Sequence, residues 1–122
     1  MKAIILKQFG GVENLSMTEL PIPMVMEDEV LVKIKSISIN PVDVKTRSGR
    51  GVSAVLKNDH PMIPGWDLSG AIEKSGAAVK NFKTGDEVFA MVRFPQSGKV
   101  YAEFAAVPAA QLARKSANVT HE

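Results

Sequence analysis

The sequence predicts a single, mainly β domain in which short strands form a closed or nearly closed barrel, with one or two short helices. About seven apolar or alternating segments follow one another at close spacing along the 122 residues, as in small β-barrels. Turns rich in Gly and Pro separate these segments, and only one stretch carries the start and stop signals of a helix. A chain of this length buries roughly two thirds of its unfolded surface, so a real core is expected.

The N-terminal part predicts two short strands. Residues 3–6 are an apolar run that Gly10 and Gly11 end, and residues 16–20 form a second segment. Pro21 follows that segment directly. Proline fixes φ and lacks a backbone N–H, so we expect the second strand to stop there.

Residues 28–39 give the strongest strand signal in the chain. Apolar residues occupy the even positions from Val30 to Ile34 and then move to the odd positions 37 and 39. The period of two is typical of a strand. A change of phase by one residue indicates a bulge or a corner of the barrel, so we expect this strand to bend near Ser36.

The stretch that follows predicts a helix of about two turns. Asn40 is a good N-cap, Pro41 suits the first helical position, Asp43 complements the helix dipole, and Gly49 is a natural stop. Residues 50–59 show no sustained period, and we expect them to form a mobile loop.

The second half of the chain reads as strands and turns. Residues 68–74, 87–92 and 100–107 are predicted strands, and residues 109–112 are one more short segment. Residues 83–86 predict a turn in which Gly85 supplies a positive φ.

Composition excludes several classes of function. Fifteen basic and thirteen acidic residues give a net charge of +2 and are interspersed, so neither nucleic acid nor a membrane surface is an expected partner. The chain has no cysteine, which excludes disulfides, thiol nucleophiles and Cys-based zinc sites. The N-terminal apolar run is too short for a signal or a membrane span, and a cytoplasmic protein is expected. His60 and His121 lack metal-binding neighbours in sequence, and each is expected to face solvent.

The segment from residue 62 to 72 combines residues that set the backbone conformation with two side chains that can take part in binding or catalysis. Pro64 restricts its neighbour to extended backbone, and Gly65 allows a turn directly before Trp66 and Asp67. A loop therefore feeds a strand with an aromatic ring and a carboxylate at the junction, where reactive groups are often placed. Two interpretations are open here: a functional pair, or a core tryptophan beside an aspartate that caps a turn.

Taken in order, several motifs carry a resemblance to a known family. They are Gly10-Gly11, Asn40-Pro41-Val42-Asp43-Val44-Lys45-Thr46-Arg47-Ser48-Gly49, Ile63-Pro64-Gly65-Trp66-Asp67-Leu68-Ser69-Gly70, Phe82-Lys83-Thr84-Gly85-Asp86-Glu87-Val88 and Tyr101-Ala102-Glu103-Phe104. The chain resembles the N-terminal, GroES-like catalytic domain of the medium-chain dehydrogenase/reductase superfamily, in its zinc-free quinone oxidoreductase branch. The resemblance covers residues 1–122 and implies a partly open β-barrel.

Two departures from the family pattern carry information. Asn40 occupies the position of a zinc-binding cysteine, and Trp66-Asp67 replaces a histidine–glutamate pair, so a catalytic zinc is not expected. The family also places a Rossmann domain after the barrel, and no Gly-x-Gly-x-x-Gly is present. The resemblance therefore implies half an enzyme, which would use NADPH or NADH held by the absent domain.

The resemblance implies cofactor contacts for three residues near the helix. Asn40 would touch the nicotinamide or the substrate as a catalytic residue, or cap the helix. Asp43 would line the same cleft, or stabilise the helix N-terminus. Arg47 would meet a cofactor phosphate, or lie in solvent, which is the better interpretation.

Three further residues are implied on the substrate side. Trp66 would form a wall of the substrate pocket, and Asp67 would bind substrate or act as a hydrogen-bonding scaffold. Tyr101 is a candidate catalytic proton donor, although a buried tyrosine that anchors a strand is commoner.

Two functions remain open at this point. The chain is expected to be the catalytic domain of an NAD(P)H-dependent reductase of quinones or α,β-unsaturated carbonyls, working by hydride transfer without zinc and inactive by itself. Alternatively it is a stand-alone barrel that serves as a binding or assembly module. An apolar surface left without its second domain would favour a homodimer.

Overall fold

Strands dominate the computed structural model, which describes all residues from Met1 to Glu122. The elements are β1 (Lys2–Leu6), β2 (Leu15–Glu19), β3 (Glu29–Ile37), α1 (Pro41–Arg47), α2 (Ser53–Leu56), β4 (Asp67–Ser75), β5 (Glu87–Met91), β6 (Phe104–Pro108) and β7 (Ala113–Arg114). Two single 3-10 turns lie at Val12–Asn14 and Ala109–Gln111. The helices are short, and none is long and apolar enough to cross a membrane.

The strands form two antiparallel sheets. β1 and β2 make a hairpin, and the other five strands lie in the order β6-β3-β4-β5-β7. The sheets do not join into a closed barrel. The prediction of a mainly β, partly open barrel with one or two short helices is therefore confirmed, with two helices present, whereas full closure is not found.

The main core lies on the inner face of the large sheet. Buried residues alternate along β4, β5 and β6, as the period of two requires, whereas β3 is buried at four successive residues from Glu29 to Val32. The fully buried core residues include Val30, Val32, Ile72, Val88 and Val107. A smaller cluster of Ala3, Ile63 and Tyr101 attaches the hairpin to the segment before β4. This second cluster fixes the loop that carries the candidate site.

The predicted bend in β3 is present. The pairing of β3 with β4 shifts between Ile34 and Ser36, and a second shift between Leu31 and Val32 was not predicted. Gly70 lies opposite Ile34, and a Cβ at this position would come within 2.2 Å of the Lys33 carbonyl oxygen. The two strands therefore approach at the bulge as closely as only glycine permits.

Residues 50–59 are not the structureless loop that the sequence predicts, because α2 forms within them. A single helical turn of four residues is too short to show a helical period. Burial and one side-chain bond stabilise it instead: Leu56 is fully buried, and the Val52 N–H donates to the Thr46 hydroxyl, six residues earlier, at 3.2 Å.

The predicted strand over residues 100–107 is shorter than expected. β6 begins at Phe104, because the preceding residues bind a different partner. The Val100 and Tyr101 N–H groups donate to the Pro64 carbonyl at 3.1 and 2.9 Å, and Ala102 makes an isolated bridge with Ala3. Residues 100–102 therefore join the hairpin and the segment before β4 instead of extending the large sheet.

Local signals placed the caps and turns correctly. α1 begins after Asn40 with Pro41 in its first turn and ends before Gly49, which has φ +93°. Gly85 has φ +92°, as its turn requires.

Candidate functional site

The candidate site forms where β3 leads into α1 beside the start of β4. Antiparallel pairing places the end of β3 next to the first residues of β4. The Asn40 side-chain amide donates from Nδ2 to Asp67 Oδ2 at 2.8 Å. Two predicted site residues that are 27 positions apart in sequence are thus hydrogen-bonded to each other.

Asp43 supports Asn40 from the other side. The Asn40 backbone N–H donates to Asp43 Oδ2 at 2.7 Å, which fixes the start of α1. Asp43 is only 4% exposed and its Oδ1 has no hydrogen-bond partner. Burial raises the pKa of the Asp43 carboxyl, and the charge of Asp67 adds to the rise, while the Asn40 N–H and Tyr101 oppose it.

Tyr101 lies beside Asp43 and is almost fully buried. Burial, followed by the charge of Asp43, raises the pKa of the Tyr101 phenol well above its usual range, and Arg47 opposes this. The phenol therefore stays neutral and acts near neutral pH as a hydrogen-bonding group. Its burial matches that of a strand-anchoring tyrosine, and the role of proton donor stays a prediction.

Gly65 makes the position of Tyr101 possible. Gly65 has φ +95°, and a Cβ there would lie 2.4 Å from the Tyr101 ring. The turn before Trp66 and the ring of Tyr101 therefore occupy adjoining space that a side chain would fill.

Arg47 is not in solvent, contrary to the expectation from sequence. It is half-buried, and its guanidinium donates to the Gly10 carbonyl at 2.8 Å. This bond attaches α1 to the loop after β1. A role for Arg47 toward a cofactor phosphate stays a prediction.

Trp66 is buried, with 2% of its surface exposed. Its indole Nε1–H donates to the Gln96 carbonyl at 2.6 Å, and its ring meets Phe94 edge to face at 5.8 Å. Trp66 does not line either of the two largest cavities. These contacts fit the interpretation of a core tryptophan, and a role in the wall of a substrate pocket stays a prediction.

A cavity of about 1040 Å³ opens beside Asp67, and we call it the Asp67 cleft. It is lined by residues 36–38, 67–69, 89–91, 114–116 and 119–122. Its rim exposes apolar side chains, including Phe89 and Met91, next to the hydroxyl-bearing residues Ser36 and Ser69. The Asp67 cleft is large enough for a small ligand and combines an apolar wall with a few polar groups.

His121 lies in this cleft and not in solvent as expected. Its Nδ1 is 2.6 Å from the Ser69 hydroxyl, and its Nε2 is 3.2 Å from a Glu87 carboxylate oxygen. Lys115 and then His121 lower the pKa of Glu87. Sequence reasoning missed these contacts because the partners of His121 lie 52 and 34 residues away, with no local signal.

A second cavity, of about 700 Å³, contains none of the six predicted site residues. Its wall includes an ion pair between Arg93 and Glu29, which the sequence did not indicate. Arg93 has φ +56°, rare for a residue with a side chain. Arg93 also donates to the Ala106 carbonyl, which covers the outer edge of β6.

The donor atoms at the candidate site do not fit a zinc ion. The Asn40 Nδ2 and the Trp66 Nε1 both carry hydrogens that are donated to other residues, so neither offers a lone pair. No group of three or more His, Cys, Asp or Glu side chains comes together to hold a metal.

Comparison with known proteins gives a family match over most of the chain. The model described as "Alcohol dehydrogenase GroES-like domain" matches residues 26–117. The NADPH-dependent alkenal/one oxidoreductase of Arabidopsis thaliana is 37% identical over 98% of this chain and 32% of its own length. The 2-methylene-furan-3-one reductase of Solanum lycopersicum is 33% identical, again over 98% of this chain and 32% of its own. The chain thus spans about a third of the length of these relatives.

Solved structures give the same picture. The quinone oxidoreductase from Coxiella burnetii superposes with a TM-score of 0.94 at 34% identity, over 99% of this chain and 38% of that one. A mycobacterial protein complexed with NADPH superposes with a TM-score of 0.83 at 28% identity, over 99% of this chain and 35% of its own. The arrangement of β1 to β7 is therefore shared with much longer proteins.

Proposed function

The chain belongs to the alcohol dehydrogenase GroES-like domain family, in the quinone oxidoreductase branch of the medium-chain dehydrogenase/reductase superfamily, and from this we propose its function. It is the catalytic domain of an NAD(P)H-dependent reductase of quinones or α,β-unsaturated carbonyls. The reduction is a hydride transfer that needs no zinc. The observation that carries this proposal is the Asn40–Asp67 hydrogen bond. By the family resemblance, Asn40 stands at the position of a zinc-binding cysteine, and Asp67 at that of the glutamate beside the zinc-binding histidine.

The residues of the chain position the reactants and exclude water. When bound, the reduced nicotinamide supplies the hydride. Asn40 would contact the nicotinamide or the acceptor through its amide, and Asp43 fixes the backbone of Asn40. Asp67 accepts a hydrogen bond from the Asn40 amide, Trp66 lies in the core, and the apolar rim of the Asp67 cleft keeps the acceptor dry. A conjugated acceptor takes hydride readily, so proximity and hydrogen bonds to the developing oxyanion are sufficient.

The contributions of Arg47 and Tyr101 are supporting ones. Arg47 lies near the start of the chain's β1–β2 loop, where a cofactor phosphate would be its partner. Tyr101 lies beside Asp43, and because its own pKa is raised, it delivers a proton only through Asp43. The proton that completes the reduction then comes from this network or from water.

The proposal also says what covers the apolar rim of the Asp67 cleft. Ile37, Phe89, Met91 and Val119 line the Asp67 cleft and are exposed. A dinucleotide-binding domain, as the longer relatives would supply, covers this face and holds NADPH or NADH. The isolated chain is therefore inactive, because it contributes few of the contacts that hold a dinucleotide.

A chimera tests this function. We expect no steady NAD(P)H oxidation with a simple quinone by the 122-residue chain. Fusion to the part of the Coxiella burnetii enzyme that lies beyond the matched region is expected to restore turnover. In this chimera Asn40→Leu is expected to lower kcat/KM by about a hundredfold, because an oriented contact to the reactants is lost.

The matched control is Glu73→Gln, an exposed change on β4 away from the cleft, which is expected to leave turnover unchanged. Steady turnover by the isolated chain would contradict the dependence on a second domain. A folded but inactive chimera would favour the other function, a binding or assembly module whose apolar rim docks a second copy.

We also propose that the protein is cytoplasmic. The absence of cysteine supports this proposal, because it suits a reducing compartment.

A further inference from the structure

Asn40 is held at two points by carboxylates that come from two different elements. Asp43 of α1 accepts from its backbone N–H at 2.7 Å, and Asp67 of β4 accepts from its side-chain amide at 2.8 Å. A backbone bond fixes the position of the residue, whereas a side-chain bond fixes the rotation of the amide about its last torsion. The two acids therefore have different tasks.

The chemistry of the carboxylate decides which end of the amide faces Asp67. An ionised carboxylate only accepts hydrogen bonds, so it must meet the NH₂ end of Asn40, and the carbonyl Oδ1 must point elsewhere. Without this partner the two orientations of an amide differ little in energy. The Asp67 carboxylate is thus the group that selects one orientation of the Asn40 amide.

No other donor competes with Asn40 for the Asp67 side chain. Asp67 Oδ1 is buried and has no partner, so the Asn40 amide is the only hydrogen-bond donor to the Asp67 side chain. Asp67 is also the first residue of β4 and pairs with Met91 of β5. The Asp67 carboxylate is therefore attached to a rigid strand, so its position is fixed before the Asn40 side chain binds to it.

We infer that Asp67 is a positioning residue that fixes the orientation of the Asn40 amide, so that its NH₂ end is bound to Asp67 and its carbonyl Oδ1 points away from Asp67. The catalytic consequence of this inference rests on the proposed function, whereas the orientation of the Asn40 amide does not. Asp67 acts on the reactants through Asn40 instead of as an acid or a base. A carboxylate that only positions Asn40 has no effect once the Asn40 amide is removed.

The first test uses the 122-residue chain and requires no activity. In NMR spectra of the labelled protein, the two Asn40 side-chain amide protons are expected to be well separated, with one protected from exchange. Asp67→Ala is expected to return the separation to that of a free asparagine amide and to abolish the protection, and Asp67→Glu to restore part of both. Glu73→Gln, on the same strand, is the control and leaves the Asn40 signals in place. An Asn40 amide that is unchanged in the folded Asp67→Ala variant would overturn the inference.

The second test is a double-mutant cycle in the active chimera. Asp67→Ala is expected to lower kcat/KM about tenfold, and Asn40→Ala more strongly. The double variant is expected to match Asn40→Ala alone, because Asp67 acts through Asn40. Independent losses that multiply would refute the positioning role. An inactive chimera that still shows the NMR signature would sink the proposed function and leave the orientation of Asn40 established.

Discussion

At the scale of single residues, the candidate site contains a carboxylate, Asp43, whose negative charge is unfavourable in the folded state. Asp43 is buried near a second carboxylate, and one of its oxygens lacks a partner. Burial raises its pKa above the ordinary 3.8, so the folded state binds a proton more tightly than the unfolded state does. As pH rises from about 4 through the raised value, the folded state loses stability. Asp43 therefore lowers stability at neutral pH in exchange for holding Asn40.

We predict that Asp43→Asn raises Tm at pH 7. An asparagine keeps an oxygen that accepts from the Asn40 N–H, but it carries no charge to desolvate. The gain is expected to shrink as pH falls toward about 4, where the wild-type carboxyl becomes protonated in both states. Calorimetry over this pH range measures the effect, and Asp28→Asn, at an exposed aspartate, is the control. A lower Tm for Asp43→Asn at pH 7 would mean that the charge itself stabilises the fold.

At the scale of elements, one carboxylate ties the last strand to a turn. The Lys83 N–H and the Arg114 guanidinium both donate to Asp86 Oδ2 at 3.0 Å. Arg114 belongs to β7 and also lies over the Phe82 ring. The Lys83 backbone bond, followed by Arg114, lowers the pKa of Asp86 to about 2. β7 has only two residues, so this link to the turn adds to its short pairing with β5.

We predict that Asp86→Ala destabilises the protein at neutral pH and frees β7. The folded-state pKa lies below the ordinary 3.8, so the stabilisation is present above about pH 4 and is lost as pH falls toward about 2. Chemical denaturation at several pH values is expected to show wild type and variant converging in this acidic window. Asn81→Ala, at an exposed residue beside the same turn, serves as the control. Equal stability at pH 7 would show that β7 is held by its sheet pairing alone.

These elements also show what the sequence can and cannot reveal. The bend of β3, the start of α1 and the turn at Gly85 depend on neighbouring residues, and local patterns predicted them. α2 depends on the burial of Leu56 and on Thr46, and His121 depends on Ser69 and Glu87. The partners of His121 are brought together only by the fold, and the single turn of α2 is too short to show a helical period, so no local pattern predicts either feature.

The candidate site falls between these cases. The family resemblance identified Asn40 and Asp67 separately, with two interpretations for each. Their hydrogen bond could not be predicted, because it requires the end of β3 and the start of β4 to be neighbours with the bulge in place. Arg47 was misjudged for the same reason, since its partner, the Gly10 carbonyl, lies 37 residues away.

At the scale of the whole molecule, one face is more apolar than a free surface requires. β5 alternates buried and exposed residues, and its exposed side presents Phe89 and Met91 at the Asp67 cleft. Exposed apolar side chains that gather around one cavity mark an interface. Under the proposed function a cofactor domain covers this interface, and in the isolated chain it is bare.

We predict that the isolated chain forms homodimers reversibly through this face. Phe89→Ser combined with Met91→Ser is expected to shift the chain to monomer in sedimentation velocity experiments, because the apolar area that drives association is lost. Met17→Ser, at an exposed methionine on β2, is the matched control and is expected to leave association unchanged. Dimers that survive the double substitution would locate the contact elsewhere.

The close approach of β3 and β4 at Gly70 has a practical consequence for engineering. A library aimed at new acceptors would naturally randomise the strand residues nearest the site, and position 70 would be among them. Any larger residue there would wedge the backbones apart and move Asn40 away from Asp67 without touching either. We therefore expect selected clones to retain glycine at position 70 while residues at the rim of the cleft vary. Deep sequencing of the library would then show where the packing of β3 against β4 limits substitution.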